Sequence, residues 1–179
     1  MLTSESDLMR TIDWNKESNS VVLVDQTLLP KEYRIIECKT LSSLCEAIKS
    51  LRIRGAPALG AAGGFGIALS AFLSEAKNLE TMMTDLEAAG IALKSTRPTA
   101  VNLGWGVSRV LKAVSDAPDV RGVRDIALQE ALPDAMLSVF PAYTYRCASI
   151  WRTSETPRRP AKSVGRKNRL QRPRRNEVP

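Results

Sequence analysis

The first forty residues carry short apolar runs separated by polar breaks. Residues 21–24 read Val-Val-Leu-Val and end at Asp25. A second run, residues 32–39, alternates in part around Tyr33, Ile35 and Cys38, with Leu28-Leu29-Pro30 between the two. Short β-branched runs bounded by turn residues predict two strands joined by a turn near Pro30. Residues 11–14 supply a third short strand, and the three together predict a small antiparallel sheet.

At Thr40 the period changes from strand-like to helical. Leu41, Leu44, Cys45, Ile48 and Leu51 recur at helical spacing, which predicts a helix from Thr40 to a stop at Gly55. Pro57 sits in the first turn of a second helix, where its missing N–H costs little, and that helix extends to about Lys77. A third helix is expected over residues 79–94. Thr96-Arg97-Pro98 breaks it, because a residue before proline avoids the helical region. A fourth spans residues 100–115, with Val101, Leu103, Val107, Val110, Leu111 and Val114 on one side. Residues 116–119 make a turn, and a fifth helix runs over residues 120–132. The pattern is that of an α+β domain: a small N-terminal antiparallel sheet (residues 1–40) followed by a helical bundle (residues 41–132).

Beyond Ala131 the pattern fails. Pro133 and Pro141 interrupt it, and residues 151–179 hold ten lysines and arginines against two acids. The remaining 150 residues hold 16 basic and 17 acidic groups out of the 26 and 19 in the chain. The high sequence pI of about 9.6 therefore belongs to the tail and says nothing about the partners of the body. Residues 133–179 are expected to form a divergent, disordered basic tail. With 44% hydrophobic residues, the chain has enough apolar surface for a core.

Residues 56–73 carry no charge and just reach membrane-spanning length. They are rich in glycine and alanine, however, so a buried helix is expected and no membrane association. The N-terminal segment lacks a basic stretch followed by an apolar run, so no signal peptide is expected and a cytoplasmic setting is the default. Histidine is absent and the three cysteines, Cys38, Cys45 and Cys147, have no zinc-site spacing. Neither a metal nor a cofactor is expected, and no Ser-His or Cys-His nucleophilic pair is available.

Two stretches carry candidate chemistry. In Arg52 to Gly66, RIRGAPALGAAGGFG, Arg54 and Gly55 precede a helix start at Pro57. Free N–H groups at a helix start beside a guanidinium attract phosphate. In Ser95 to Gly106, STRPTAVNLGWG, Arg97 stands before the next helix start, with Thr99 as a possible cap and Trp105 as a core residue. The two arginines would clamp one phosphate from two sides. Spacing alone favours two ordinary turns with both arginines in solvent. GAAGGFG lies within a helix rather than after a strand, so it is no dinucleotide fingerprint. Asp13 and Asp25 are candidate acids or bases, though Asp25 also suits a plain turn. Cys38 and Cys45 lie on apolar faces and read as core thiols.

The segments IDW (12–14), VVLVDQTLLPKEY (21–33), AIKSLRIRGAPALGAAGGFGIAL (47–69) and RPTAVNLGWGV (97–107), in this order and spacing, resemble the N-terminal half of methylthioribose-1-phosphate isomerases. The resemblance implies isomerisation of 5-methylthioribose 1-phosphate to 5-methylthioribulose 1-phosphate, an aldose–ketose conversion of methionine salvage. It implies that Arg54, Gly55, Ala56 and Arg97 grip the phosphate of a small sugar phosphate, in a protein that pairs as a homodimer. Alternatives sharing the fold are a ribose-1,5-bisphosphate isomerase and a non-catalytic regulatory subunit of the initiation factor 2B type.

The family's catalytic Cys and Asp lie in a Rossmann-like C-terminal domain. No Cys-Asn-Ala-Gly-like stretch occurs here, and Cys147, in Tyr-Arg-Cys-Ala-Ser, does not match. No catalytic residue is assigned. The match fades at Glu130-Ala131, and the Arg/Pro-rich tail reads as a shifted coding frame. A truncated, inactive chain lacking the Rossmann-like domain is the expectation. Nucleic-acid binding by the tail is the weaker alternative, since no aromatic residue after Trp151 offers a stacking platform.

Overall fold

A computed structural model describes residues 11–132. The expectation of a disordered basic tail over residues 133–179 lies outside the described residues, as does Cys147. Three strands, β1 (Ile12–Asn15), β2 (Ser20–Val24) and β3 (Ile35–Cys38), form an antiparallel sheet in the order β1-β2-β3. Ile12 lies opposite Leu23 and Val21 opposite Cys38. This register puts Ile12, Trp14, Val21, Leu23 and Cys38 into the core. The third strand is shorter than its alternation suggested. Tyr33 and Ile35 are exposed, and Ile36 and Cys38 form its inner face. Residues 32–33 leave the ladder; the Arg34 carbonyl still accepts from the Asp25 N–H at 2.8 Å, while its side chain turns back onto Glu32 at 2.7 Å.

Five helices follow: α1 (Leu41–Lys49), α2 (Ala56–Leu73), α3 (Leu79–Thr96), α4 (Val101–Val114) and α5 (Val120–Ala131). Residues α3 to α5 follow the predicted pattern to within two residues. The helix α1 does not reach Gly55 but ends at Lys49. Leu51 takes a left-handed conformation, φ 64°, and its N–H donates to the Ile48 carbonyl at 3.3 Å while Arg52 N–H donates to that of Ala47 at 2.9 Å. This double closure normally uses glycine, so leucine here costs about 1 kcal/mol. Contacts that a periodicity cannot register offset that cost: Ile53 enters the core and Arg52 meets Asp25.

Helix α2 is the centre of the bundle. It packs on all four other helices and on β1 and β2. It is long and apolar enough to cross a membrane by composition, but 78% of it is buried within this fold. Trp14 lies against Phe65 and Phe72 of α2, with ring centroids 6.1 and 5.5 Å apart, fastening the sheet to the helix. The helix stops at Leu73, before the expected Lys77. Arg124 of α5 donates to the carbonyls of Ala71 and Ser74, both at 2.9 Å, and Ser74 Oγ donates to Asp85 at 2.5 Å. A guanidinium at the last carbonyls favours a helix end there.

The packing of α2 on α4 depends on glycine. A β-carbon at Gly63 would come within 2.5 Å of the Leu103 carbonyl oxygen, and one at Gly106 would strike the carbonyl of Gly60. Small residues at these positions let the two backbones touch. That approach also brings the first turns of both helices to one side of the molecule.

Candidate functional site

Three of the five helices begin with a side-chain cap. Thr40 caps α1, with its Oγ1 accepting from Ser43 N–H at 3.2 Å. Asn78 caps α3 and Asp119 caps α5, accepting from Thr81 at 2.8 Å and Gly122 at 2.6 Å. The starts of α2 and α4 have none. Gly55 and Ala100 occupy the cap positions and no side chain closes either end. Thr99, expected as the cap of α4, lies one residue too early. At α2 the N–H groups of Ala56 and Ala58 precede the first helical acceptor, whereas at α4 Val101 and Leu103 already donate to the carbonyls of Thr99 and Ala100 at 3.1 and 3.0 Å and Asn102 is left; the helix dipole makes both ends positive.

Both uncapped ends open onto one cleft of about 500 Å³. Arg54, Gly55, Ala56 and Leu59 line it from one side, Arg97, Thr99, Ala100 and Asn102 from the other. The four residues singled out in the sequence, Arg54, Gly55, Ala56 and Arg97, thus converge, although Ala56 and Arg97 are separated by forty residues of chain. Asn102 was not singled out; it belongs to the same RPTAVNL segment as Arg97. Trp105, expected in the core, is only half-buried and lies beneath the guanidinium of Arg109 at 5.5 Å.

Gly55 is required by backbone conformation rather than by space. Its φ is 95°, ψ is 138°, and a β-carbon there would meet nothing within 4 Å. Such a φ is open to glycine and strained for other residues. It turns the chain so that α2 starts directly after Arg54.

The arginines differ in how their charge is used. Arg34, Arg52 and Arg109 pair with Glu32, Asp25 and Glu130 at 2.7, 2.6 and 2.9 Å. Among the described residues, neither Arg54 nor Arg97 is ion-paired with a carboxylate. Arg54 donates instead to a neutral carbonyl, that of Gln26, at 3.2 Å. The cleft therefore holds two positive side chains and two positive helix ends without a built-in counter-charge. An anion of phosphate size suits such a place.

Asp25 is the carboxylate behind this cleft, not within it. It is fully buried and accepts from Arg52 at 2.6 Å and from the N–H and hydroxyl of Thr27 at 3.0 and 2.5 Å. Burial by itself pushes its pKa up, but the Thr27 and Arg52 hydrogen bonds and the Arg52 charge outweigh that and hold it below the ordinary 3.8. A depressed folded-state pKa adds stability that is fully present above the unfolded-state value and is lost as pH falls through the folded-state value. Thermal melts of wild type and Asp25→Asn should show this. The wild-type advantage at pH 7 is expected to shrink steadily below about pH 4. Glu37, held down in the same direction by Ser18 and Ser20, is present in both proteins and cancels from the difference. A gap between the two proteins that ignored pH would contradict the assignment.

The other candidates have structural roles. Asp13 lies on β1 and accepts the N–H of Trp14 at 2.9 Å. Cys38 is buried and Cys45 half-buried, and burial pushes both thiols up, away from the thiolate a nucleophile needs.

The chain is similar to several known proteins. Residues 52–136, which include Arg54, Gly55, Ala56 and Arg97, match the model of the initiation factor 2 subunit family. The chain carries a domain of that family. A protein of Methanosarcina acetivorans with the provisional name methylthioribose-1-phosphate isomerase is 82% identical over 131 residues, covering 73% of this chain and 38% of the relative. The crystal structure of 5-methylthioribose 1-phosphate isomerase from Pyrococcus horikoshii superposes with a TM-score of 0.67 at 40% identity, over 74% of this chain and 37% of that one. A structure titled translation initiation factor eIF-2B, subunit delta, from A. fulgidus gives 0.68 at 41% identity, over 73% and 37%. The match is to the N-terminal portion of these proteins, and the chain spans somewhat over a third of their length.

Proposed function

We propose that the cleft between the starts of α2 and α4 binds the phosphate of a small sugar phosphate. On this reading the chain carries the phosphate grip of an aldose–ketose isomerase acting on 5-methylthioribose 1-phosphate in methionine salvage. The observation that carries it is the convergence of Arg54 and Arg97, neither ion-paired, on two uncapped helix ends. The family's isomerase names support the substrate class. A cytoplasmic setting and homodimer pairing follow from the same reading.

Binding a phosphate does not by itself speed an isomerisation. Acceleration requires groups that act more strongly on the transition state than on the ground state, here an acid–base pair that moves a proton or hydride between two sugar carbons. The 179 residues contain no stretch resembling the family's catalytic cysteine segment. The chain alone is therefore expected to bind 5-methylthioribose 1-phosphate without converting it. Calorimetry with this compound and with 5-methylthioribose, which lacks the phosphate, tests the grip. Binding of the phosphorylated compound only is expected, and equal binding of both would defeat the proposal. A coupled assay for the ketose tests the second half, and turnover by the purified chain would refute inactivity.

Two other readings share the phosphate grip. A ribose-1,5-bisphosphate isomerase would prefer a ligand with a second phosphate, so competition between the mono- and bisphosphate separates the two. The likeness to the structure titled as an initiation-factor subunit favours a non-catalytic sensor as the second reading. Tighter binding of a nucleotide than of either sugar phosphate would put that reading first.

A further inference from the structure

Arg52 and Arg54 are two residues apart, yet they are held by opposite means. Arg52 is placed among carboxylates, with Asp25 at 2.6 Å and Glu46 at 3.3 Å. Arg54 is held by neutral groups, all from Gln26. The Gln26 carbonyl accepts from Arg54 Nη2 at 3.2 Å, and the Gln26 side-chain amide donates to the Arg54 carbonyl in a longer contact of 3.4 Å. The Gln26 N–H donates to the Arg52 carbonyl at 2.8 Å. Residues 25 and 26 thus run alongside residues 52 to 54, with the buried Asp25 as one anchor and the buried Ile53 as the other.

We propose that Gln26 is a positioning residue of the anion cleft, fixing Arg54 at the start of α2 while leaving its charge unneutralised. This rests on the phosphate reading of the cleft. Gln26 does not line the cleft. It acts through Arg54. The amide matters for its lack of charge: a carboxylate of the same shape would lie beside the Arg54 main chain and compete with the ligand for its guanidinium. Ordering Arg54 in advance also reduces the entropy lost on binding.

Sulfate is a suitable probe because its charge is constant from pH 4 to pH 8. The full chain would be titrated with sulfate as wild type, Gln26→Glu, Gln26→Ala and Arg97→Ala, with a thermal melt of each. Gln26→Glu is expected to bind about tenfold more weakly at pH 7, the effect of one opposing charge several ångströms from the ligand. The ratio of wild-type to Gln26→Glu affinity should fall towards one as the introduced carboxyl protonates, below the ordinary glutamate range of about 4.3 because the Arg54 guanidinium favours its charged form. Asp25 and Glu46, both engaged by Arg52, and Arg54 itself are common to both proteins and drop out of the ratio. Gln26→Ala removes the amide but adds no charge, so a loss of roughly threefold without pH dependence is expected.

Wild-type affinity in Gln26→Glu at pH 7, or a loss that stays unchanged once the introduced carboxyl has been shown by titration to be protonated, would overturn the positioning role. Should Gln26→Glu not fold, undiminished binding by Gln26→Ala would overturn it as well. A different result marks failure of the underlying reading: no sulfate binding by wild type, or full binding by Arg97→Ala, removes the anion cleft and this role with it.

Discussion

Gly106→Ala is expected to destabilise the fold by about 3 kcal/mol or more, at the upper end for an overpacked site. The added methyl would strike the carbonyl of Gly60 across the α2–α4 contact. A flexible side chain can swing away from such a contact, but here the obstacle is the backbone of a helix buried on nearly every side. Relief requires the two helices to separate, opening voids along the whole contact. Gly63→Ala should behave alike, since its methyl would meet the Leu103 carbonyl at 2.5 Å. The control lies two residues from Gly106. A β-carbon at Gly104, in the same helix, meets nothing within 4 Å. Gly104→Ala should therefore be neutral or stabilise by up to about 1 kcal/mol, the ordinary gain of alanine over glycine in a helix. Denaturant midpoints of the three variants decide the matter, and equal effects at 104 and 106 would contradict the glycine-mediated contact.

The second large effect is on binding. Arg54→Ala and Arg97→Ala should each weaken phosphate or sulfate binding by roughly 10- to 100-fold, as expected for losing a hydrogen bond to a charged partner at 1.5–3 kcal/mol. The double variant should bind no better than the weaker single one. Neither side chain is ion-paired among the described residues, so folding stability should change by no more than about 0.5 kcal/mol. Arg34→Ala serves as the charge-matched control. Arg34 is exposed and paired with Glu32 outside the cleft, so its removal should leave affinity nearly unchanged. An equal loss from all three variants would mean that only net charge is being sensed. Arg54→Lys and Arg97→Lys should recover part of the affinity, because a lysine restores the charge without the two-pronged geometry.

Much of this fold is legible in the residues themselves. The β-branched run at 21–24 and the apolar spacing of α3 to α5 mark elements whose inner faces are set by a local period, and these elements form as expected. The ends of α1 and α2 do not follow the period. At α1, the left-handed turn at Leu51 brings Arg52 to Asp25, which lies just past the end of β2 and 27 residues before Arg52. At α2, Arg124, from a helix some fifty residues later, takes the last carbonyls. The helix period gives no sign of either partner.

The candidate site divides in the same way. Arg54, Gly55 and Ala56 can be picked out because they stand where a helix begins, and Arg97 because it lies in the short break between the end of α3 and the start of α4; a helix start has a chemistry of its own. The absence of a cap at Ala100 could not be read, because Thr99 is a good capping residue placed one position early. Nor could the isolated sequence tell a phosphate clamp from two arginines in separate surface turns. That distinction depends on distance between segments forty residues apart. It is set by Gly63 and Gly106, which let α2 and α4 approach until their first turns face one cleft. Local sequence thus determined which residues were able to hold an anion, since capping, φ preference and charge are properties of a residue and its immediate neighbours. Tertiary structure alone decided that they face one cleft, and which arginines are left without a carboxylate partner among the described residues, because both depend on packing between distant parts of the chain.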